Sequence, residues 1–156
     1  MMLAGLVQFG LIFETQIGIN NAIREAARRV AAIAAPDQPT AQANATWALG
    51  ELQTALGNSQ NYSASQSDVE VCIVNPLINP TDASGFVQVL VRIKVTYHHS
   101  LFLPIVDLIL DGIDGSSDRR LAASNSTEFH VEQAGNNIVG AGGVARSNGI
   151  NTPCTP

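Results

Sequence analysis

The residues of this chain able to do chemistry are few and widely spaced. Its two cysteines, Cys72 and Cys154, either form a disulfide or stand as two unrelated thiols. An exported chain with a lone exposed thiol would be reactive, which favours the pair. Such a bond pins the Gly-rich tail to the strand around Cys72 and, in the chain-entropy picture, contributes about 4 to 5 kcal/mol. His98 and His130 fall on the polar faces of their strands, a placement open to cross-strand contact. A metal site needs more ligands than these two, so solvated surface histidines are expected. Asp111, Asp114 and Asp118 share a loop with Gly112 and Gly115. Carboxylates in a turn can hold calcium, but the spacing departs from the calcium-loop pattern, and a solvated acidic turn fits better. Gly140-Ala141-Gly142-Gly143 precedes no helix and so makes no phosphate cradle. Neither Gly-x-Ser-x-Gly nor His-Glu-x-x-His occurs. The sequons at Asn44, Asn61 and Asn125 are close to the chance number. The expectation is a protein that is not an enzyme, with no metal and no cofactor. An exported enzyme would need a convergent polar cleft, and no residues for one stand out.

The chain that positions these residues has 156 amino acids, enough for a single core. Hydrophobic residues make up 46% and charged residues only 13%, about half the usual charged share of a soluble domain. Neutral polar side chains must therefore carry the surface, a composition common outside the cell. The formal net charge of -5, from 8 basic against 13 acidic residues, excludes the basic stripe that a nucleic-acid binder needs.

Apolar residues gather at the N-terminus. Met1–Phe13 reads MMLAGLVQFGLIF, with Gln8 its one polar side chain. The run is shorter than the roughly 20 residues that span a bilayer, although Ile17 and Ile19 extend it beyond Glu14. It has no basic leader and no clear cleavage site, so it is a poor signal peptide. It reads either as the remnant of a processed or truncated membrane helix, or as a greasy helix buried against other protein. From there Ile19, Ile23, Ala26, Val30 and Ile33 form a narrow helical seam, and Pro36 and Pro39 end it. One helix over about residues 2–35 is expected, roughly 50 Å long. That is longer than a domain of this size is wide, so the helix protrudes and its apolar half needs a partner.

Residues 40–57 predict a second helix, with Trp47, Leu49, Leu52 and Leu56 apolar and Gly57-Asn58 closing it. The period then becomes two. Val69, Val71 and Ile73 alternate with Glu70, Cys72 and Val74. After the turn-rich stretch 75–85, Val87, Val89, Val91, Ile93, Val95 and Tyr97 mark one face of a half-buried strand, which pairs antiparallel with the 69–75 segment. Leu101–Leu110 reads as a short helix around Pro104 and Asp111–Asp118 as a loop. Phe129 and Val131, set among Glu128, His130 and Glu132, predict a third strand. From Gly135 the tail reads as coil. The fold class expected is α+β, with a long protruding N-terminal helix, a second helix and a small antiparallel sheet. The chain divides into an assembly or anchor helix (1–35), a globular head (36–134) and a Gly/Asn-rich tail (135–156).

The stretch Asn21-Ala22-Ile23-Arg24-Glu25-Ala26-Ala27-Arg28 resembles the Asn-Ala-Ala-Arg-Glu-Gly-Ala-Arg motif of the TadE-like family of pilin-like proteins from tight-adherence (Flp-type) pilus systems. Asn21, Ala22, Arg24, Glu25, Ala27 and Arg28 match it, and Ile23 and Ala26 stand where the family has Ala and Gly. Phe9-Gly10, the Val-rich strand ending in Tyr97 and Leu103-Pro104 follow the family's order, and the similarity covers about residues 6–133. Gln8 stands where the family carries a glutamate. The resemblance implies a pilin-like fold and a subunit that waits in the inner membrane, then polymerises with copies of itself into an extracellular pilus or pseudopilus with the help of the pilus assembly machinery. The helix implied to drive assembly presents Leu3, Leu6, Val7, Phe9, Leu11, Ile12, Phe13, Ile17, Ile19, Ile23, Ala26 and Val30. The alternative it implies is a membrane-anchored minor pilin whose loops bind a surface or another pilus component.

Overall fold

A computed structural model describes residues 2–59, 61–75, 89–101, 120–135, 138, 141–149 and 154. The expected turn at 75–85 and helix at 101–110 lie, but for their first residues, outside the described residues, as do the whole acidic turn at 111–118, Val87, Met1 and Gly140.

The fold is α+β. Two helices, α1 (Met2–Ala31) and α2 (Gln38–Gly57), cover one face of a four-stranded antiparallel sheet. Its strands are β1 (Ser67–Val74), β2 (Leu90–Ser100), β3 (Arg120–His130) and β4 (Ala141–Arg146), in the order β3-β2-β1-β4.

Helix α1 stops at Ala31, four residues short of the expectation. The backbone beyond it is taken up elsewhere: Ala35 donates to the Gln133 carbonyl at 2.9 Å and accepts from Gly135 at 2.8 Å. Ala35 also precedes Pro36, and the residue before a proline disfavours helix. Helix α2 starts earlier than expected, because Pro39 belongs to its first turn rather than to a break. There the missing N–H costs nothing. Asp37 caps this helix, its carboxylate accepting from the Thr40 N–H at 2.8 Å. The Thr40 hydroxyl, together with that bond, holds the Asp37 carboxyl below its ordinary pKa.

The expected pairing of the second and first strands is present, with Val69 opposite Val95, Val71 opposite Ile93 and Ile73 opposite Val91. These residues, with Tyr97, are buried under the helices. The third strand is much longer than its expected few residues, running from Arg120 to His130.

The coil expected from Gly135 onward is corrected. Residues 141–146 form β4, which pairs with β1 and holds Ala145 opposite Val71. Its glycines are there for space. A Cβ on Gly143 would collide with the Ala41 carbonyl, and one on Gly142 with Ile138. On the helix side Ala41, Ala45 and Ala48 are all fully buried. Small residues on both elements let the backbone of α2 approach the strand. The disulfide is formed: Cys72 of β1 and Cys154 are joined, 82 residues apart in sequence with 6.2 Å between their Cα atoms. It lies on the opposite face of the sheet, with Val74, Val144, Leu90 and Ala141 around it.

Candidate functional site

Helix α1 divides the expected assembly residues into two sets. Ile12, Ile19, Ile23, Ala26 and Val30 are buried in the chain's own core, so they are not an intermolecular surface. The stripe continues toward the N-terminus through Thr15, Ile12 and Gln8, all buried. The apolar half of the helix therefore has one side on the body of the protein, and the rest faces out.

The outward set is Leu3, Leu6, Val7, Phe9, Leu11, Phe13 and Ile17. Leu3 is 78% exposed, Leu6 72% and Phe13 65%. Seven large apolar side chains on a single helix form a continuous greasy surface, of the kind that marks an interaction site. No helix among the described residues is long and apolar enough to cross a membrane.

The octapeptide lies on the following turns. Asn21, Arg24 and Arg28 are exposed, Ala22 and Glu25 half-buried, and Ala27 buried. The Glu25 carboxylate meets Arg29 at 2.8 Å and Arg28 at 3.1 Å, and Arg29 also reaches Glu51 of α2 at 3.5 Å. Hydrogen bonds from Arg29 and Arg28 hold the Glu25 carboxyl below its ordinary pKa. This network is exposed, and its contribution to stability is small.

Polar bonds hold the apolar half of α1 onto the sheet. The Gln16 amide donates to Nε2 of His99 on β2 at 2.7 Å and accepts from the Asn125 amide on β3. His99 is buried beside Tyr97, ring centroids 4.7 Å apart in an edge contact, and burial lowers its pKa. Thr15 turns its hydroxyl back to the Leu11 carbonyl at 2.8 Å. The Gln8 side chain is 1% exposed, and neither its amide nitrogen nor its amide oxygen has a hydrogen-bond partner. It lines a cleft of about 220 Å³ together with Leu11, Ile12, Thr15, Tyr97 and His99.

His99 and Gln16 were missed in the sequence, where Gln8 stood out only as the single polar side chain of the N-terminal run. The parity of β2 was a usable signal for His99, since it follows Tyr97 on the inward face. Gln16 and Asn125 become partners only through the packing of α1 across two strands.

The pair His98 and His130 is not brought together. In the β2–β3 ladder His130 faces Leu90 and His98 faces Ala122, at opposite ends. His98 sits instead 3.7 Å from Asp68. Glu70, Cys72 and Cys154 are the only cluster of three potential metal ligands among the described residues, and its two sulfurs are bonded to each other. Asp111, Asp114 and Asp118 are outside the described residues. Among the sequon asparagines, Asn44 donates to the Ala34 carbonyl at 3.1 Å and Asn125 is engaged by Gln16. Asn61 is exposed at a φ of 63°.

No family model, curated protein or solved structure matches this chain.

Proposed function

We propose that this chain is a structural, pilin-like subunit that polymerises through its N-terminal helix into an extracellular pilus or pseudopilus. The observation that carries the reading is the outward row Leu3, Leu6, Val7, Phe9, Leu11, Phe13 and Ile17, on a helix whose other face is fixed to a small α+β head. Burying such a row returns roughly 25 cal/mol per Å² of apolar surface, and in water alone the row would drive aggregation. Packing against the same helix of neighbouring copies removes it from water in an ordered way. Before assembly, the inner membrane is the other apolar environment able to shelter it. The likeness of Asn21–Arg28 to the TadE-like motif supports the same reading.

The helix would act as the adhesive and the head as its carrier. The polar bonds of Gln16 with His99 and Asn125 fix the angle between them. A subunit whose helix is held at one angle adds to a fibre in one geometry, so this network serves assembly without touching a neighbour.

The test is negative-stain electron microscopy of native material with mass spectrometry of its N-terminus, on the parent chain and on Leu6→Asp and Phe13→Asp. Filaments composed mainly of this chain, and their loss in both variants while the head stays folded, are the expected result. Variants that polymerise normally would sink the proposal. Monomers or small assemblies in place of filaments would instead indicate an anchored minor subunit.

A further inference from the structure

We propose that β3 of one copy pairs edge to edge with β3 of a second copy, antiparallel and about a two-fold axis at Ser124. The inference goes beyond the filament reading, because it concerns the head and holds whether or not α1 polymerises.

The two edges of the sheet differ. At β4 the Gln42 side chain occupies both backbone groups of Val144. At β3 nothing comparable stands among the described residues. Val131 donates to the Val89 carbonyl at 2.9 Å, and the β2–β3 ladder continues from that pair in one register. The odd-numbered residues of β3 therefore bond to β2, and the even-numbered ones turn their N–H and C=O groups outward. Glu132, the next even residue past the strand, donates to the Ala31 carbonyl at 2.9 Å, so the edge is covered there. Over Ala122, Ser124, Ser126, Glu128 and His130 no described backbone group pairs with it, and all five residues are exposed. The usual guards against strand addition are a proline, a bulge, a lysine or a very short strand. Strand β3 is 11 residues long, keeps one register with β2 throughout, and contains neither proline nor lysine. Such an edge offers its main chain to a further strand.

The side chains beside that edge choose the occupant. From Arg120 to Glu128 the even positions read Arg, Ala, Ser, Ser, Glu, a series complementary to its own reverse. Set antiparallel about Ser124, Arg120 of one copy faces Glu128 of the other, Ala122 faces Ser126, and Ser124 faces its own counterpart. Opposite charges directly across a strand pair are favourable, and like charges unfavourable. Glu128 uses one carboxylate oxygen on Arg92 and has a second able to accept. Moving the axis to Asn125 would set Arg120 against His130 and Ala122 against Glu128, and moving it to Ser126 would leave Arg120 beyond the pairing. Residues 121–127 add no charge for a second copy to repel. The seam forms about ten backbone hydrogen bonds and joins two four-stranded sheets into one of ordinary size. Being isologous, it closes at two copies.

The full-length Leu6→Asp chain in plain buffer separates this contact from association through α1. Sedimentation should show a concentration-dependent monomer–dimer equilibrium. Ser124→Pro in that chain removes an outward N–H at the axis and leaves the ladder to β2 intact, since an edge tolerates proline there. It should weaken the dimer by about tenfold or more with an unchanged circular dichroism spectrum. Cysteine cross-linking reads the register and decides the matter where the proline variant misfolds. Residues directly opposite in a hydrogen-bonded pair have Cα atoms about 5.5 Å apart, within reach of a disulfide. Ser124→Cys should therefore give a covalent dimer on mild oxidation, and Ser126→Cys, set opposite Ala122, should not. A Leu6→Asp chain that stays monomeric at every concentration overturns the pairing, as does cross-linking at 126 in place of 124. Either result leaves the filament reading standing, because that reading depends on fibres of the parent chain.

Discussion

The side chain of Gln42 stands in for a fifth strand beside Val144. Its amide oxygen accepts from the Val144 N–H at 3.0 Å, and its amide nitrogen donates to the Val144 carbonyl at 2.7 Å. An open strand edge is a template for unwanted pairing, and here one glutamine from α2 satisfies both backbone groups at the middle of β4. Gln42→Ala should lower stability by about 1–2 kcal/mol and increase amide exchange at Val144 selectively. Denaturant titration and hydrogen exchange check this, and a variant as stable as the parent refutes it.

The disulfide closes a span of 82 residues from Cys72 to Cys154. In the chain-entropy model a loop of that size contributes about 4–5 kcal/mol. Reduction, or the pair Cys72→Ser with Cys154→Ser, should shift the denaturation midpoint down by a matching amount. The last residues should become sensitive to protease first. An unchanged midpoint under reductant would show that the bond holds down a tail the head does not need.

Gly143 faces the backbone of α2 at Ala41. Gly143→Ala should cost about 1–3 kcal/mol, the range for overpacking a tight core, because helix and strand must separate to admit one methyl group. The same substitution at Gly50, where a Cβ meets nothing, should be neutral or stabilising, since alanine favours helix over glycine. Thermal melts of the two variants side by side give the comparison, and equal effects would contradict the packing described.

Burial lowers the pKa of His99, and the groups facing it, Gln16 and Tyr97, carry no charge that would oppose this. The unfolded chain then binds a proton that the folded chain refuses. Stability from this residue is whole above the ordinary histidine pKa of about 6.5 and falls as pH drops below it. Protonation also turns the Nε2 acceptor into a donor facing the Gln16 amide. The expected result is a stability loss as the pH falls below about 6.5 that is absent in His99→Gln. A parent chain with a flat profile over that window would refute it.

Much of this fold is legible in the residues alone. The period-two run Val89 to Tyr97 and its pairing with Val69–Ile73 need only alternation, because a strand with one face under helices must place every second residue there. The seam Ile19, Ile23, Ala26, Val30 likewise declares a helix and its inward face. The N-terminal run is legible as an apolar surface in want of cover, since composition alone makes it costly in water.

Other features were decided by contacts between distant segments. Strand β4 hides behind Gly142 and Gly143, which locally signal a turn and become strand residues only where Ala41 presses against them. His98 and His130 cannot be paired or separated until the β2–β3 register is set. Within Leu3–Val30, the sequence identifies apolar residues but not which of them the body of the protein covers. Ile12 and Leu11 are neighbours of like chemistry, and only the rotation of α1 on the sheet buries one and leaves the other available. The sequence determined the elements and their greasy faces, because those follow from local period and hydrophobicity. The tertiary structure alone decided the free surface, the unpaired amide of Gln8 and the place of the tail, because each depends on which segments come together and how closely.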